Sequence, residues 1–302
     1  MKKVLITGGT GLLGSEISKL FIKQGNEVCF LSRTEDLTAD IKRYKWDIEN
    51  ATIDIKAFDG VTDIIHLAGA GVADKRWTAS RKKVIEDSRI ESANLLSKTI
   101  IENDLPIKSY ISASAIGIYG DRDDEWLYEN SAIENNWLAE VCEKWEATCD
   151  PITEFGIRTA CVRIGLVMSN KGGALSKLTT GVKLGVNPIL GDGKQYYSWI
   201  HVADLASIFV YVLNDEKIIG PINAVAPNPV NNKTFTIAIQ KAMKKNPLNP
   251  TMPKKVMQFA LGEMSSVLFD SARVSADLIQ QKGYEFEFTV IDAALSNLLA
   301  PS

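Results

Sequence analysis

Short runs of apolar residues alternate along the chain with longer segments whose apolar positions recur at helical spacing. The first run is followed by a loop with four glycines and then by an amphipathic segment at residues 15–24. The apolar runs lie at residues 4–6, 27–31, 61–71, 108–114 and 158–167. This alternation predicts an α/β fold whose parallel strands are joined by right-handed crossovers, with a ligand at the carboxyl ends of the strands.

The loop after the first run has the composition of a phosphate-binding turn. Its glycines follow the pattern Gly8-x-x-Gly11-x-x-Gly14. Glycine lets the backbone turn sharply and approach a ligand closely, and the next helix begins with unpaired N–H groups and a partial positive charge. Because the spacing differs from the common G-x-G-x-x-G, it favours a dinucleotide site but leaves open a glycine-rich turn of another α/β protein.

The end of the second apolar run bears on which dinucleotide would bind. An NAD site usually has an Asp or Glu about 20 residues after the glycines, where the carboxylate binds the ribose 2′-hydroxyl. This chain has Ser32 and Arg33 there. A hydroxyl and a guanidinium suit a 2′-phosphate, so the pair favours NADP(H), the alternative being an ordinary solvated arginine.

A locally basic segment at residues 74–83 precedes a predicted helix that contains Arg89. One interpretation is a solvated helix start. The other is a positive rim that holds a phosphate group, and Arg89 is then the residue that we expect to contact it.

Composition narrows the class of partner. The 302 residues include 34 basic and 37 acidic side chains and are 45% hydrophobic, which gives a large core and no general attraction to nucleic acid or anionic lipid. We expect a small-molecule substrate, no nucleic-acid or membrane partner, and a cytoplasmic location, because no apolar run approaches about 20 residues and no signal peptide is recognisable. The four cysteines form no C-x-x-C pair and only two histidines are present, so we expect buried thiols and no metal site.

Four separated motifs resemble those of an extended short-chain dehydrogenase/reductase of the NAD(P)-dependent epimerase/dehydratase type. They are TGGTGLLG at 7–14, HLAGAGV at 66–72, SASAIGIYG at 112–120 and GDGKQYYSWIHVADLA at 191–206. The tail, with LGEMSSVLFDSARV at 261–274, resembles an atypical branch whose members are called epimerase family proteins and carry an extra C-terminal domain. The resemblance implies a Rossmann-like doubly wound parallel sheet and, as in many extended members, a homodimer.

The same resemblance implies a division of the chain. The NADP-binding Rossmann domain would cover residues 1–170, with strand and helix returns at about 198–226. A mainly C-terminal substrate-binding region would cover 171–302, with a family-specific tail at about 250–300. The implied cofactor-binding residues are Gly8, Thr10, Gly11, Leu12, Leu13, Gly14, Ser32, Arg33, Leu67, Ala68, Gly69, Arg89 and Val167.

The usual catalytic residues of the superfamily are only partly present. Ser114 matches the catalytic hydroxyl, but the Tyr and Lys places fall on Leu138 and Cys142, and no tyrosine has a lysine four positions on. Those two residues are one helical turn apart, so they are either core contacts or, for the cysteine, a reactive thiol. We therefore take Ser114, acting with water, or Tyr119 as the candidate proton donor.

The resemblance places the substrate wall near Trp199 and His201. A contact between His201 and Asp204 would hold one tautomer of the imidazole, the alternative being a histidine that caps or packs the helix. Arg163 would either neutralise an anionic substrate or pair with an acid.

Two functions are compatible with these features. The first is an NADP(H)-binding oxidoreductase or epimerase-like enzyme acting on an unknown small molecule without the usual Tyr-x-x-x-Lys pair. The second is a non-catalytic NADP(H)-binding regulator or scaffold, linked to cell division, because each lost acid/base group removes about 10² to 10⁴ in rate. The retained serine and the substrate region favour the enzyme.

Overall fold

Residues 1–299 are described by the structure, a computed structural model. The strands, in chain order, are β1 (Lys3–Thr7), β2 (Glu27–Ser32), β3 (Arg43–Asp47), β4 (Thr52–Ile53), β5 (Asp63–His66), β6 (Ser109–Ala115), β7 (Trp126–Leu127), β8 (Arg158–Ile164), β9 (Leu166–Met168), β10 (Ile189–Leu190), β11 (Tyr196–Tyr197), β12 (Trp199–His201), β13 (Gly220–Ala224), β14 (Val230–Asn231), β15 (Thr251–Met252) and β16 (Arg273–Val274). The helices are α1 (Leu12–Lys23), α2 (Ala79–Glu102), α3 (Trp137–Ala147), α4 (Asp150–Glu154), α5 (Ala174–Lys183), α6 (Val202–Asn214), α7 (Asn232–Ala242), α8 (Lys254–Leu261), α9 (Ser266–Phe269), α10 (Asp277–Gln281) and α11 (Ile291–Leu299).

The main sheet has eight strands in the order β13-β8-β6-β5-β1-β2-β3-β4. Every neighbouring pair is parallel except β3 and β4. The chain proceeds outward from β1 in one direction and from β5 in the other, so the strand order reverses between these two strands. The predicted Rossmann-like doubly wound parallel sheet is confirmed, and its crevice lies at the carboxyl ends of β1 and β5.

Both faces of the sheet are covered, which explains why β1 is apolar throughout. Val4 and Ile6 pack with Phe21 of α1 on one face, whereas Leu5 packs with Leu96 of α2 on the other. Successive side chains of a strand point to opposite faces, so a central parallel strand covered by helices on both sides needs a continuous apolar run.

Several boundaries differ from the sequence-based expectation: the strand expected at 61–71 is only β5, α1 begins before residue 15, and two further differences lie between residues 158 and 202. The predicted strand at 158–167 is divided at Gly165 into β8 and β9, because Gly165 lies directly against the backbone of Ser198 and has no room for a side chain. The helix expected to open at Ser198 begins only at Val202, after the short strand β12, which pairs with β9.

The second half of the chain contributes to the main sheet as well as to its own core. β13 adds the edge strand beside β8. A separate cluster forms around Trp199, Phe235 and Leu295, which come from β12, α7 and α11. Within residues 1–299 no helix combines the length and apolar composition needed to cross a bilayer, and the same residues contain no group of three or more metal-binding side chains.

Candidate active site

The glycine loop joins β1 to α1 by a tight turn. Gly8 has a φ of +67°, which favours glycine, and its carbonyl accepts a hydrogen bond of 3.0 Å from the N–H of Gly11. Helix α1 then begins at Leu12, with Gly11 as N-cap and no side-chain cap. The first N–H groups of the helix therefore point out of the turn without side-chain partners, as a phosphate-binding helix end requires.

Close packing explains why glycine is needed at Gly14 and at Gly8. A Cβ atom on Gly14 would lie 2.6 Å from the carbonyl oxygen of Gly8 and 2.6 Å from the Cα of Gly9. A Cβ atom on Gly8 would lie 3.2 Å from the carbonyl carbon of Leu67. The loop is thus pressed between the start of α1 and the end of β5, which brings two predicted cofactor segments together.

A buried hydrogen-bond chain fixes this arrangement. The hydroxyl of Thr7 accepts from the N–H groups of Leu67 and Ala68 and lies 2.8 Å from Nδ1 of His66. His66 Nε2 lies 3.2 Å from Ser92, whose own hydroxyl donates to a carbonyl oxygen. Burial lowers the pKa of His66 to about 3, so the imidazole is neutral and joins β1 to α2 as a structural residue.

The other predicted cofactor residues lie along the same edge of the sheet. Ser32 ends β2, the strand beside β1, and Arg33 follows it with an exposed side chain. Arg89 donates to the carbonyl oxygens of Ala70 and Ile85, and a Cβ atom on Gly69 would lie 3.1 Å from its guanidinium carbon. The remaining members are exposed or half-buried in the glycine loop, at the start of α1 or on β9: Thr10, Leu12, Leu13 and Val167.

A cavity of about 970 Å³ opens beyond β5 at the same edge. Residues 115–117 after β6 and 164–166 at the end of β8 form one side, and Trp77, Trp137 and Leu138 form another. The third side comes from the C-terminal segment, including Lys254 of α8. The lining is therefore mostly apolar, with its charged groups concentrated where the C-terminal segment covers the sheet edge.

Asp270 is the titratable group of this cavity that sequence reasoning missed. Its carboxylate accepts no hydrogen bond within residues 1–299, while the N–H of Ser271 donates to the neighbouring Asp121. Burial, and next the charge of Asp121, raise the pKa of Asp270 to about 6. A carboxyl group in a cavity that exchanges its proton near neutral pH suits general acid/base chemistry. A single aspartate in the motif LGEMSSVLFDSARV gave no signal of this role.

The sequence candidates Ser114 and Arg163 are held together by Glu146. The hydroxyl of Ser114 donates to Glu146 at 2.6 Å, and the guanidinium of Arg163 donates to both carboxylate oxygens at 2.8 Å. Ser114 is 2% exposed and Arg163 is 5% exposed. Arg163 therefore pairs with an acid, the second of the two alternatives, and it does not line the cavity.

Tyr119 belongs to the same buried network. Its hydroxyl donates to Asn223 at 2.7 Å and accepts from Arg163 at 2.8 Å, and its side chain is fully buried. Burial raises the pKa of Tyr119 to about 12. A catalytic tyrosine needs access to the substrate and a lowered pKa, so this geometry supports a structural role instead.

Trp199 and His201 lie in the core rather than in the cavity wall. The indole N–H of Trp199 donates to the carbonyl of Asn228. Nδ1 of His201 accepts from the N–H of Ala203, which makes it the N-cap of α6, and its ring stacks on Phe288 at 3.9 Å. His201 is thus the helix-capping histidine of the two alternatives, and the carboxylate of Asp204 accepts instead from residues 284, 287 and 288.

Comparison with known proteins identifies the family. The model of the NAD-dependent epimerase/dehydratase family matches residues 4–224. The chain belongs to this family. A domain of unknown function, DUF1731, matches residues 252–298, which include α8 and Asp270.

Relatives of the same family match along nearly the whole chain. An epimerase family protein of Staphylococcus aureus (strain N315) is 31% identical over 300 residues, covering 99% of both chains. The crystal structure of the human epimerase family protein SDR39U1 (isoform 2) with NADPH has a TM-score of 0.88 and 27% identity, covering 98% of this chain and 99% of that chain. The nucleoside-diphosphate sugar epimerase of Corynebacterium glutamicum has a TM-score of 0.80 and 33% identity, covering 99% of this chain but 58% of its own.

Leu138 and Cys142, the positions that the resemblance assigns to the family's Tyr and Lys, both lie on α3. Leu138 lines the cavity and Cys142 is 2% exposed behind it, and a Cβ atom on Gly117 would lie 2.9 Å from the Leu138 side chain. Burial raises the pKa of Cys142 to about 12. Core contact, the simpler of the two interpretations, fits Cys142, whereas Leu138 is half-buried and lines the cavity.

We expect all four thiols of the native protein to react with 5,5′-dithiobis(2-nitrobenzoate) at pH 8 at least 100-fold more slowly than in the urea-unfolded chain. Cys29, Cys142, Cys149 and Cys161 are all free and buried, and a thiol reacts through its thiolate, which burial disfavours. The absorbance at 412 nm measures the rate. Fast labelling of one thiol in the native protein, located at Cys142 by a Cys142→Ser variant, would revive the reactive-thiol interpretation.

Proposed function

We propose that this protein is an NADP(H)-dependent oxidoreductase or epimerase-like enzyme whose small-molecule substrate binds in the cavity beside β6 and β8. One observation carries the proposal. The glycine loop after β1 and the cavity after β6 lie at the same edge of the sheet, separated only by the carboxyl end of β5. A dinucleotide that runs along this edge from the loop would reach the cavity wall.

The residues present fit a bound dinucleotide. The free N–H groups at the start of α1 and the close backbone of Gly8 and Gly14 suit a pyrophosphate, and the backbone of Ala68 and Gly69 borders the same path. When bound, the nicotinamide would supply hydride transfer. The missing Tyr-x-x-x-Lys pair is the feature that favours the non-catalytic regulator, whereas a cavity that contains Asp270 beside the cofactor path favours the enzyme.

Ser32 and Arg33 support NADP(H) over NAD(H). The guanidinium of Arg33 is exposed at the end of β2, next to the strand that carries the glycine loop. The position lacks the carboxylate that binds a ribose 2′-hydroxyl. The human relative of similar structure was crystallised with NADPH, which is consistent with the same preference here.

Asp270 is the proton carrier that we propose in place of Ser114 and Tyr119. Asp270 lines the cavity and its carboxylate accepts no hydrogen bond within residues 1–299, whereas both sequence candidates have their hydroxyl groups engaged in the buried network around Glu146 and Arg163. The pKa of about 6 lets Asp270 give up a proton to a substrate oxygen or take one from it. Lys254 lines the same part of the cavity and favours the ionised form of the carboxyl.

The proposal predicts that Arg33→Ala weakens NADPH binding by about 10- to 100-fold and leaves NADH binding nearly unchanged. A guanidinium–phosphate contact contributes about 1.5–3 kcal/mol, and NADH lacks the phosphate. Titration of the purified protein with each nucleotide, followed by nicotinamide fluorescence, measures both affinities.

Lys23→Ala is the matched control for this titration. It removes one exposed cation from α1 at the end opposite the glycine loop, so it should leave both affinities unchanged. Equal binding of the two nucleotides by the unmodified protein would refute the assignment of Arg33, and binding of neither would refute the proposed function.

A further inference from the structure

The charged side chains of the cavity are mostly acidic. Among the described residues its lining contains four carboxylates and one cation, Lys254. The carboxylates are Asp121, Glu134, Glu263 and Asp270. A ligand that carries negative charge would thus meet a single basic side chain among the lining residues, with the exposed Arg76 next to Gly262 outside that lining.

Two of the four carboxylates are neutralised from outside the cavity. Glu134 pairs with Arg122 at 3.3 Å, and Glu263 pairs with Lys82 of α2. These cations are consequently occupied, and Arg122 also donates to the carbonyl oxygen of Ala132. Among the described residues, the charged groups of the lining that have no ion-pair partner are Asp121, Asp270 and Lys254.

A further cation near the wall is also unavailable to a ligand. Arg273 lies between two aromatic rings, with its guanidinium carbon 4.2 Å from the ring centre of Trp126 and 4.8 Å from that of Tyr196. Tyr196 lines the cavity while Arg273 lies behind it. The arginine therefore packs the wall instead of reaching into the cavity.

The rest of the lining suits an apolar molecule. Trp77 and Trp137 form an edge-to-face pair with their ring centres 4.8 Å apart. Leu138, Ile116 and Ile164 continue the apolar surface toward the end of the sheet. Burying a ligand's hydrocarbon or aromatic body against these side chains is the main source of affinity that the cavity offers.

Nucleoside diphosphate sugars fit this environment poorly. Protein sites for phosphate groups use arginine forks, several lysines or helix N-termini. Here a diphosphate would lose its hydration beside two like-charged carboxylates, with one lysine in compensation. The Corynebacterium relative is called a nucleoside-diphosphate sugar epimerase, but that name therefore does not determine the substrate of this chain.

We propose that the substrate of this cavity is a largely apolar alcohol or carbonyl compound without phosphate or carboxylate groups, and that nucleoside diphosphate sugars are not substrates. The proposal rests on the proposed function, which makes this cavity the substrate site. The apolar body lies against Trp77 and Trp137, and the hydroxyl or carbonyl oxygen is the polar group that Asp270 contacts.

A series of compounds with similar bodies and different charges tests the proposal. We would measure binding of 4-phenyl-2-butanone, 3-phenylpropylammonium, 3-phenylpropanoate and UDP-glucose to the full chain by ligand-observed NMR, each with and without NADPH. We expect the ketone and the ammonium ion to bind, the carboxylate to bind at least about tenfold more weakly, and UDP-glucose not to displace the ketone. The proposal is overturned if the carboxylate or UDP-glucose binds as tightly as the ketone, or if no phenylalkyl compound binds.

Variants that remove the carboxylate charges test whether Asp121 and Asp270 cause the discrimination against anionic ligands. In the double variant Asp121→Asn/Asp270→Asn, the ratio of the affinity for 4-phenyl-2-butanone to the affinity for 3-phenylpropanoate should fall at least about fivefold. The reason is that both aspartates of the cavity that have no ion-pair partner are then neutral. Asp40→Asn, an exposed surface change, should leave the preference as it is, and an unchanged preference in the double variant would contradict the charge argument. NADPH affinity, measured on the same samples, separates a failure of the proposed function from a failure of the proposed substrate class. If NADPH does not bind, the proposed function is refuted. If NADPH binds normally and UDP-glucose also binds tightly, only the substrate class is refuted.

Discussion

Gly14→Ala should weaken NADPH binding by more than about 100-fold and lower the free energy of unfolding by about 1–3 kcal/mol. The added methyl group would lie 2.6 Å from the carbonyl oxygen of Gly8 and 2.6 Å from the Cα of Gly9. Both are backbone atoms of the loop that we propose to hold the pyrophosphate, so α1 must move away from that loop to make room. Overpacking costs of this size are typical, and a displaced helix start no longer directs its N–H groups at a phosphate.

Urea unfolding measures the loss of stability, and nicotinamide fluorescence measures the loss of affinity. Gly25→Ala is the control: Gly25 has a φ of +78°, but a Cβ atom there meets no atom within 4 Å. The Gly25→Ala change should lower the free energy of unfolding by about 1 kcal/mol, because only the backbone conformation is disfavoured. The NADPH affinity of this variant should be unchanged. A Gly14→Ala protein with normal affinity would mean that the loop does not contact the cofactor.

The β1–loop–α1 unit could be predicted from sequence because its determinants are local. An apolar run, glycines at fixed spacing and an amphipathic segment dictate strand, turn and helix without information from the rest of the chain. The doubly wound order followed from the alternation of strands and helices and from the family resemblance. The break at Gly165 was not predictable, because it results from contact with the backbone of Ser198, 33 residues away along the chain.

Side-chain roles were harder to predict than elements. Ser114, Tyr119 and Arg163 all have the chemistry of an active site. Sequence reasoning made the first two candidate proton donors and left Arg163 either to neutralise an anionic substrate or to pair with an acid. Their contacts with Glu146 and Asn223 come from distant parts of the chain and use up their hydrogen-bonding groups. Polar residue type at a strand end thus indicates a functional role only when the tertiary partners leave an atom free to act.

Asp270 is the converse case. Its chain neighbours resemble the tail of one branch of the family but indicate no catalytic role, and it is the fold that places Asp270 in the lining of the cavity near Asp121. The strand after it, β16, pairs with β7, which anchors this part of the C-terminal segment against the first half of the chain. The segment that matches the domain of unknown function therefore supplies both Asp270 and Lys254 to the cavity.

Glu146→Ala should lower the free energy of unfolding by about 3–5 kcal/mol. Glu146 accepts two hydrogen bonds of 2.8 Å from Arg163 and one from Ser114, and Arg163 is 5% exposed. Burial disfavours the charge of this guanidinium, yet the hydrogen bonds that it donates to Glu146 hold its pKa above the usual value. Removing the carboxylate leaves a buried arginine without its counter-ion, which is among the costliest single changes in a protein interior.

Glu86→Ala provides the comparison, because Glu86 also pairs at 2.7 Å, but with Lys144 on the surface. An exposed pair of this kind contributes about 0–1 kcal/mol, so the two variants should separate clearly in urea or thermal unfolding. Arg163→Met/Glu146→Leu should recover much of the loss, since both buried charges are then removed together. Equal, small effects of Glu146→Ala and Glu86→Ala would mean that water or another group compensates Arg163, and the structural role assigned to the Ser114–Tyr119–Arg163 network would have to be withdrawn.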